Sequence, residues 1–243
     1  MTGTAMGAAM TSTATDTGGG HTTTATTAWR ADPYTEALRA GRGPLFLRRD
    51  DGWLLPLEVE RWCEAPDRAD RSVLERSRGA VLDIGCGPGR LVAALAAEGR
   101  RALGIDISPA AVAHTARLGG AALCRSVFDV LPGEGRWDTA LLIDGNIGIG
   151  GDPTALLLRL RHVVSRTGTV LVECAPVDVD ERYDVRVDDG RGAPGTPFPW
   201  ARVGARALAA HSVRAGWTAT DRWSLKDRHF IELTAQSSPA GRR

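Results

Sequence analysis

Asp83-Ile84-Gly85-Cys86-Gly87-Pro88-Gly89 places an acid two residues ahead of three glycines at alternate positions, directly after the apolar run Ala80-Val81-Leu82. Glycines spaced in this way allow a tight turn and let a ligand lie directly on the backbone. The residues from Arg90 onward are patterned as a helix, so the unpaired amides of its first turn face the same point. The combination is a cradle for a nucleotide-like ligand. Asp83 would repel a pyrophosphate there, whereas it suits a cation. Dinucleotide folds also need a small residue at the sixth position of the glycine fingerprint, where helix and strand pack closely. Arg90 stands at that position, which counts against a nicotinamide or flavin ligand.

Further acids recur at matching places. The run Arg101–Asp106 reads as a second strand ending in an acid, 23 residues after Asp83, where a carboxylate can accept both hydroxyls of a ribose. A third strand, about Ala121 to Val127, leads into Phe128-Asp129. A fourth, Trp137 to Asp144, opens onto the glycine-rich loop Gly145-Asn146-Ile147-Gly148-Ile149-Gly150-Gly151, and a fifth, Thr169 to Glu173, also ends in an acid. Asp83, Asp106, Asp129, Asp144 and Glu173 therefore fall at the C-terminal ends of successive strands, the edge at which such sheets bind ligands.

The elements that position these residues follow from local signals. Ser108-Pro109 and Asp152-Pro153 are helix caps followed by a first-turn proline. The helix after Asp152 carries Leu156, Leu157, Leu160, Val163 and Val164 and stops at Gly168. Strands alternating with helices imply a parallel sheet with right-handed crossovers. Before the first of these strands lie a helix from Asp32-Pro33 to Gly41 and a hairpin around Asp50-Asp51-Gly52. Two helical pieces follow, near 57–63 and 71–78. The segment 177–200 breaks the alternation with one strand around Tyr183–Val187 and an ordered loop. A helix is expected from Ala201 to Gly216, then two strands, Trp217–Leu225 and His229–Thr234, joined at Lys226-Asp227.

The motif acid-x-Gly-x-Gly-x-Gly, matched by Asp83, Gly85, Gly87 and Gly89, resembles the first signature of class I S-adenosylmethionine-dependent methyltransferases. The resemblance covers roughly residues 79–235. It implies an α/β fold, a three-layer Rossmann-like sandwich. Its mostly parallel seven-stranded sheet ends in an antiparallel strand pair, with a small N-terminal helix and hairpin extension (29–78) lying over the cofactor. It implies S-adenosyl-L-methionine as cofactor, held by Asp83, Gly85, Cys86, Gly87, Gly89, Asp106, Ile107 and Asp144. By the same analogy Asp129 would meet the adenine amino group and Phe128 its ring. Asn146 either orients the substrate or the cofactor's amino-acid end, or is a turn residue in a left-handed conformation. Glu173, by its place at the rim, and Trp200, from Phe198-Pro199-Trp200, are expected to contact substrate. Trp29, Tyr34, Trp53 and Trp62 lie in the segments expected to cover the site. Methyl transfer from a sulfonium needs mainly alignment of the nucleophile, so no catalytic triad is required, and no catalytic residue is assigned. The specific marks of DNA amino-methyltransferases, cytosine C5 enzymes and metal-dependent O-methyltransferases are absent.

Composition bounds the rest. The 243 residues carry 30 basic and 29 acidic side chains, a balance with no electrostatic footprint for nucleic acid or membrane. Cys63, Cys86, Cys124 and Cys174 are spaced without a metal or redox pattern, as expected in a reducing, cytoplasmic setting. The Thr/Ala/Gly tract 1–28 reads as a disordered tail rather than a signal peptide, and 236–243 reads as a second tail. The expected partner is a small-molecule acceptor, with N or O as nucleophile left open. A nicotinamide-dependent oxidoreductase and a non-catalytic adenosyl-binding module are the alternatives.

Overall fold

The computed structural model describes residues 32–191 and 195–236; the tract 1–28, Trp29 and the tail after residue 236 lie outside the described residues. The N-terminal part comprises α1 (Asp32–Ala40), β1 (Phe46–Arg48), β2 (Leu54–Pro56), α2 (Val59–Cys63) and α3 (Arg68–Arg76). An alternating series follows: β3 (Val81–Ile84), α4 (Arg90–Ala97), β4 (Ala102–Asp106), α5 (Pro109–Arg117), β5 (Ala122–Cys124) and β6 (Trp137–Leu142). After a 3-10 turn at Asn146–Gly148 come α6 (Pro153–Val163), β7 (Val164–Cys174), β8 (Asp180–Asp188) and β9 (Phe198–Val203). The chain closes with α7 (Ala205–Arg214), β10 (Trp217–Leu225) and β11 (Arg228–Ala235).

Seven strands form one sheet in the order β10-β11-β7-β6-β3-β4-β5. Pairing is parallel from β7 to β5, while β11 runs antiparallel to both β7 and β10. The central strands are apolar in both phases of their alternation because both faces are covered. Leu82, Ile84, Ala140, Leu142, Val170 and Val172 pack with Leu156, Leu160 and Leu208 of α6 and α7. Val81, Leu141 and Leu171 turn the other way, against Val73, Leu74, Leu91 and Leu95 of α3 and α4. The fold is thus the expected three-layer, Rossmann-like α/β sandwich with an antiparallel end pair. Lys226 and Asp227, both at positive φ (50° and 62°), make the tight turn between β10 and β11. Ser108 and Asp152 cap α5 and α6 by accepting from Ala111 N at 3.4 Å and Ala155 N at 3.1 Å.

A second sheet, β2-β1-β8-β9, is entirely antiparallel. It unites the N-terminal hairpin with the segment before α7. Leu45, Leu47, Val185, Val187, Phe198 and Trp200 form its core together with Tyr34 and Leu38 of α1.

Four local expectations are corrected. The segment 177–200 contributes two strands rather than one strand and a loop, and Ala201 belongs to β9 instead of opening a helix. Residues Phe198–Val203 find antiparallel partners in Val185–Asp180, a tertiary context that overrides local preference. The third strand ends at Cys124, because Ser126 Oγ accepts from Phe128 N (3.2 Å) and Asp129 Oδ2 accepts from Ser126 N (3.1 Å). Such side-chain bonds offer the backbone a turn in place of a ladder. The helix after Asp152 ends at Val163, five residues before Gly168. Gly168 instead lies inside β7, where the register against β6 slips between Trp137 and Thr139. A Cβ at Gly168 would sit 2.9 Å from Trp137 O, so the glycine permits close backbone approach and does not end a helix.

The two sheets touch where the loop after β6 meets β9. Ile149 bridges Trp200, and a Cβ on Gly148 would collide with Ala201 O and stand 2.7 Å from the Trp200 ring. Gly148→Ala is therefore expected to destabilise the protein by about 1–3 kcal/mol through overpacking. Urea unfolding of the variant beside the parent measures this, and an unchanged midpoint would mean the loop moves aside freely.

Candidate active site

The turn after β3 is built on glycines that no other residue could replace without movement. Gly85 has φ +67°, and a Cβ there would meet Asn146 Nδ2 at 2.7 Å; Gly89, at φ +89°, would run into the Thr115 side chain. Asp106, at the end of the neighbouring strand β4, clasps this turn. Its Oδ2 accepts from Gly87 N at 2.9 Å and its Oδ1 from Ser108 N at 2.8 Å. Turn and carboxylate together form one side of a cavity of about 340 Å³, within the range of small-ligand sites.

Gly85, Cys86, Gly87, Asp106, Ile107, Phe128, Asp144, Asn146 and Trp200 all line this cavity. Asp83, Gly89, Asp129 and Glu173 are not on its wall. Asp83 is buried beneath the turn (3 % exposed), and no described residue donates a hydrogen bond to it. Asp129 is exposed and spends its carboxylate on Ser126 N; Ser126 and Val127 reach the wall in its place. Arg159 of α6 braces that loop by donating to Val127 O (2.9 Å) and Asp129 O (2.7 Å).

Glu173 and Asp144 belong to a buried ionic network. Arg228, the first residue of β11, donates bidentately to Glu173 with both contacts at 2.7 Å, and reaches Asp70 Oδ1 at 2.8 Å. Arg90 grips Asp70 through Nε (2.8 Å) and Nη2 (2.9 Å) and Asp144 through Nη1 (2.8 Å). Arg61 of α2 adds a third cation to Asp144 at 2.7 Å. The Asp144 backbone N–H donates to Glu173 Oε2 at 2.8 Å. Of these residues, Asp144 and Glu173 stand out in the sequence as strand-end acids. Arg90 is conspicuous there as a misfit in a glycine fingerprint, yet a cation in the first turn of a helix opposes the helix dipole. That conflict signals carboxylate partners without naming them. Asp70, Arg61 and Arg228 come from three other elements, and no spacing connects them.

Asn146 is not in a left-handed conformation; the residues at positive φ in this loop include Asp144 (59°) and Gly145 (81°). Asn146 Nδ2 donates to Ile84 O at 2.8 Å and Gly85 O at 2.9 Å, tying the loop after β6 to the glycine turn. Tyr34 of α1 and Trp62 of α2 complete the wall from the N-terminal part.

The acids differ sharply in electrostatic state. Burial pushes the Asp83 carboxyl up to about 7; Arg90 opposes the rise, and Asp144, Asp106 and Asp70 add to it. Burial likewise lifts Asp106 to about 6 against backbone donors at Ser108, Gly87 and Ile107. Burial would raise Asp144 too, but Arg90 and then Arg61 hold it below the ordinary carboxylate range. The cavity thus has an arginine-paired Asp144 on one side and, on the other, Asp106 on the wall and Asp83 beneath it, whose charged forms would gain from a nearby cation.

The fold has known counterparts. The crystal structure of a methyltransferase from Bacteroides fragilis, described as S-adenosylmethionine-dependent and solved with S-adenosylhomocysteine, superposes with a TM-score of 0.70 at 20 % identity, covering 86 % of this chain and 97 % of that one. Residues 81–168 match a family model described as a methyltransferase domain. The chain shares the fold of that methyltransferase, and within it residues 81–168 are similar to a methyltransferase domain. The methyltransferase fold is shared with the 1,6-didemethyltoxoflavin-N1-methyltransferase of Burkholderia thailandensis, with a TM-score of 0.53 at 19 % identity over 70 % of this chain and 78 % of that one. It is shared also with the CcbJ methyltransferase of Streptomyces caelestis, with a TM-score of 0.54 at 15 % identity over 70 % of this chain and 88 % of that one.

Two outcomes are expected of these buried charges. For an acid whose folded pKa is raised, the native state keeps the proton over the interval between 3.8 and about 7 in the case of Asp83. Stability is then full below that interval and falls as pH rises through it. Without ligand, urea stability should drop between pH 4.5 and 7.5 by an amount on the order of a few kcal/mol. Asp83→Asn should flatten much of this slope, and an equal slope in the variant would remove Asp83 as its source. Separately, Arg90→Met strands Asp70 and Asp144 without their main partner, and is expected to cost about 3–5 kcal/mol in the same assay.

Proposed function

We propose that this protein is an S-adenosylmethionine-dependent methyltransferase acting on a small-molecule acceptor. The observation that carries this is the meeting of the glycine turn and Asp106 on one wall of the cavity, beneath which Asp83 is buried without a hydrogen-bond partner among the described residues. An unpartnered buried carboxyl beside a ligand site favours a cationic ligand, which fits a sulfonium and an ammonium better than a pyrophosphate. When bound, the cofactor supplies a methyl group already activated for displacement.

The residues divide the work between cofactor and acceptor. Gly85, Cys86 and Gly87 present backbone to the cofactor, with Gly89 shaping the start of α4. Asp106, with Ile107 beside it, receives the ribose hydroxyls. Phe128 flanks the adenine, and Ser126 and Val127 take the place expected of Asp129. Asp83 acts through its field. Asp144 and Glu173 hold the cavity floor through the arginines, so their part is to position α2, α4 and β11 around the site. Asn146 fixes the turn and faces the acceptor, and Trp200 forms part of the acceptor wall. Residues 29–78 and 177–200 act together as a cap on the domain at 79–235. Solved structures of the same fold that hold S-adenosylhomocysteine, in one case together with bound 1,6-didemethyltoxoflavin, support this reading. Among the described residues no helix is long and apolar enough to cross a membrane, in keeping with a cytoplasmic enzyme, and the balanced charge favours a small acceptor over nucleic acid.

Thermal unfolding tests the proposal. S-adenosylhomocysteine at 100 times its dissociation constant adds about 2.7 kcal/mol to the native state and should raise Tm by several degrees, whereas NAD should leave it unchanged. Asp106→Ala should abolish most of the shift. Stabilisation by NAD alone would overturn the assignment.

A further inference from the structure

The acceptor side of the cavity has a definite chemical character, and its meaning for the acceptor rests on the methyltransferase function proposed above. Aromatic side chains reach it from three elements far apart in sequence: Tyr34 from α1, Trp62 from α2, and Phe198 and Trp200 from β9. Phe198 and Trp200 hold each other edge-to-face at 6.3 Å between centroids. Walls of this kind complement a flat ring system.

The charge on this side is spent. Among the described residues Asp144 is its only carboxylate on the wall, and Arg61, Arg90 and Arg228 all contact it. Arg90 is in turn bound to Asp70 at 2.8 Å. An ammonium would find no unpaired carboxylate, and a carboxylate no unpaired arginine, among these residues; Arg125, the further cation on the cavity wall, stands with Ser126, Val127 and Phe128 on the side assigned to adenine.

Two polar groups on this side remain to recognise the ligand: the indole N–H of Trp62, buried without a hydrogen-bond partner among the described residues, and the side-chain oxygen of Asn146. Both amide hydrogens of Asn146 are committed, to Ile84 O and Gly85 O. The reverse orientation would set its oxygen against those two carbonyls, so the amide is fixed. Its Oδ1 receives no hydrogen bond from any described residue, and it is not among the buried unpaired atoms, although Asn146 is on the cavity wall. An accessible acceptor held rigidly beside the glycine turn calls for a donor on the ligand.

We infer that the methyl acceptor is a flat, uncharged aromatic or heteroaromatic molecule whose ring bears an N–H or O–H that donates to Asn146 Oδ1.

Isothermal titration calorimetry in two stages tests this. The full-length protein is first titrated with S-adenosylhomocysteine. The saturated complex is then titrated with lumazine, 2-quinolone and 1-naphthol, with their N- or O-methylated derivatives, and with cyclohexylamine and glucosamine. At least one of the three flat donors should bind, and its methylated derivative should bind about tenfold more weakly or worse, because Asn146 Oδ1 loses its partner. The two amines should give no binding heat. Trp62→Leu should weaken the flat probe while leaving the first-stage affinity for S-adenosylhomocysteine intact. Amines binding in preference to every flat probe, methylated derivatives binding as well as their parents, or no flat probe binding to the saturated complex would each overturn the inference and leave the cofactor assignment standing. Failure of the first stage itself would overturn that assignment and the inference with it.

Discussion

Everything around the cavity hangs on the salt-bridged cluster centred on Arg90. Its guanidinium, 5 % exposed, lies between Asp70, which is fully buried, and Asp144. Charges taken this far out of water are tolerated only when each is met by partners of good geometry. Arg228 and Arg61 supply the remaining contacts. The cluster therefore imposes mutual placement on five separate pieces of chain: α2, α3, the first turn of α4, the loop after β6 and the start of β11. Three of them, α2, α4 and the loop after β6, line the cavity. Such a cluster contributes less net stability than an apolar core of equal volume would, since desolvation offsets much of the attraction. What it gives is a narrowly defined arrangement, because any displacement strands a buried charge.

The same residue type serves two opposite purposes within this small volume. Asp144 is surrounded by arginines and stays ionised, and it holds structure. Asp83 and Asp106 are buried with few or no positive neighbours, and their carboxyls sit at about 7 and about 6. The charged forms of these two acids would be favoured by a cation beside them.

The sequence was most legible where local chemistry is repeated along one strand or turn. Asp83 with its alternating glycines, Asp106 at the next strand end, and the Ser108-Pro109 and Asp152-Pro153 caps each carry their meaning within a few residues. The parallel sheet followed from their alternation with helices, and its antiparallel end pair from the family resemblance. Legibility failed where meaning depends on a distant partner. Asp129 and Glu173 look alike as strand-end acids, but one caps its own turn and the other is taken by Arg228 from β11. Ala201 sits in a helix-friendly stretch and is drawn into β9 by pairing with Arg182. Gly168 carries the sign of a helix end, and its use became plain only from the slip between β6 and β7. Arg90 was visible as an exception, and its partners were not.

The second sheet has a consequence for how the chain assembles. Leu47 in β1 pairs with Val187 in β8, so the hairpin formed earliest in synthesis has its partner near the far end of the chain. Contacts between residues so distant must overcome a large loop entropy before they are rewarded, and they form late. The Rossmann-like core can collapse through neighbouring strands, whereas the roof over the cavity waits for β8 and β9. The wall contributed by Phe198 and Trp200 comes into being only when β9 pairs with β8. A nascent or partly refolded chain would then own the glycine turn before it owned the rest of the cavity.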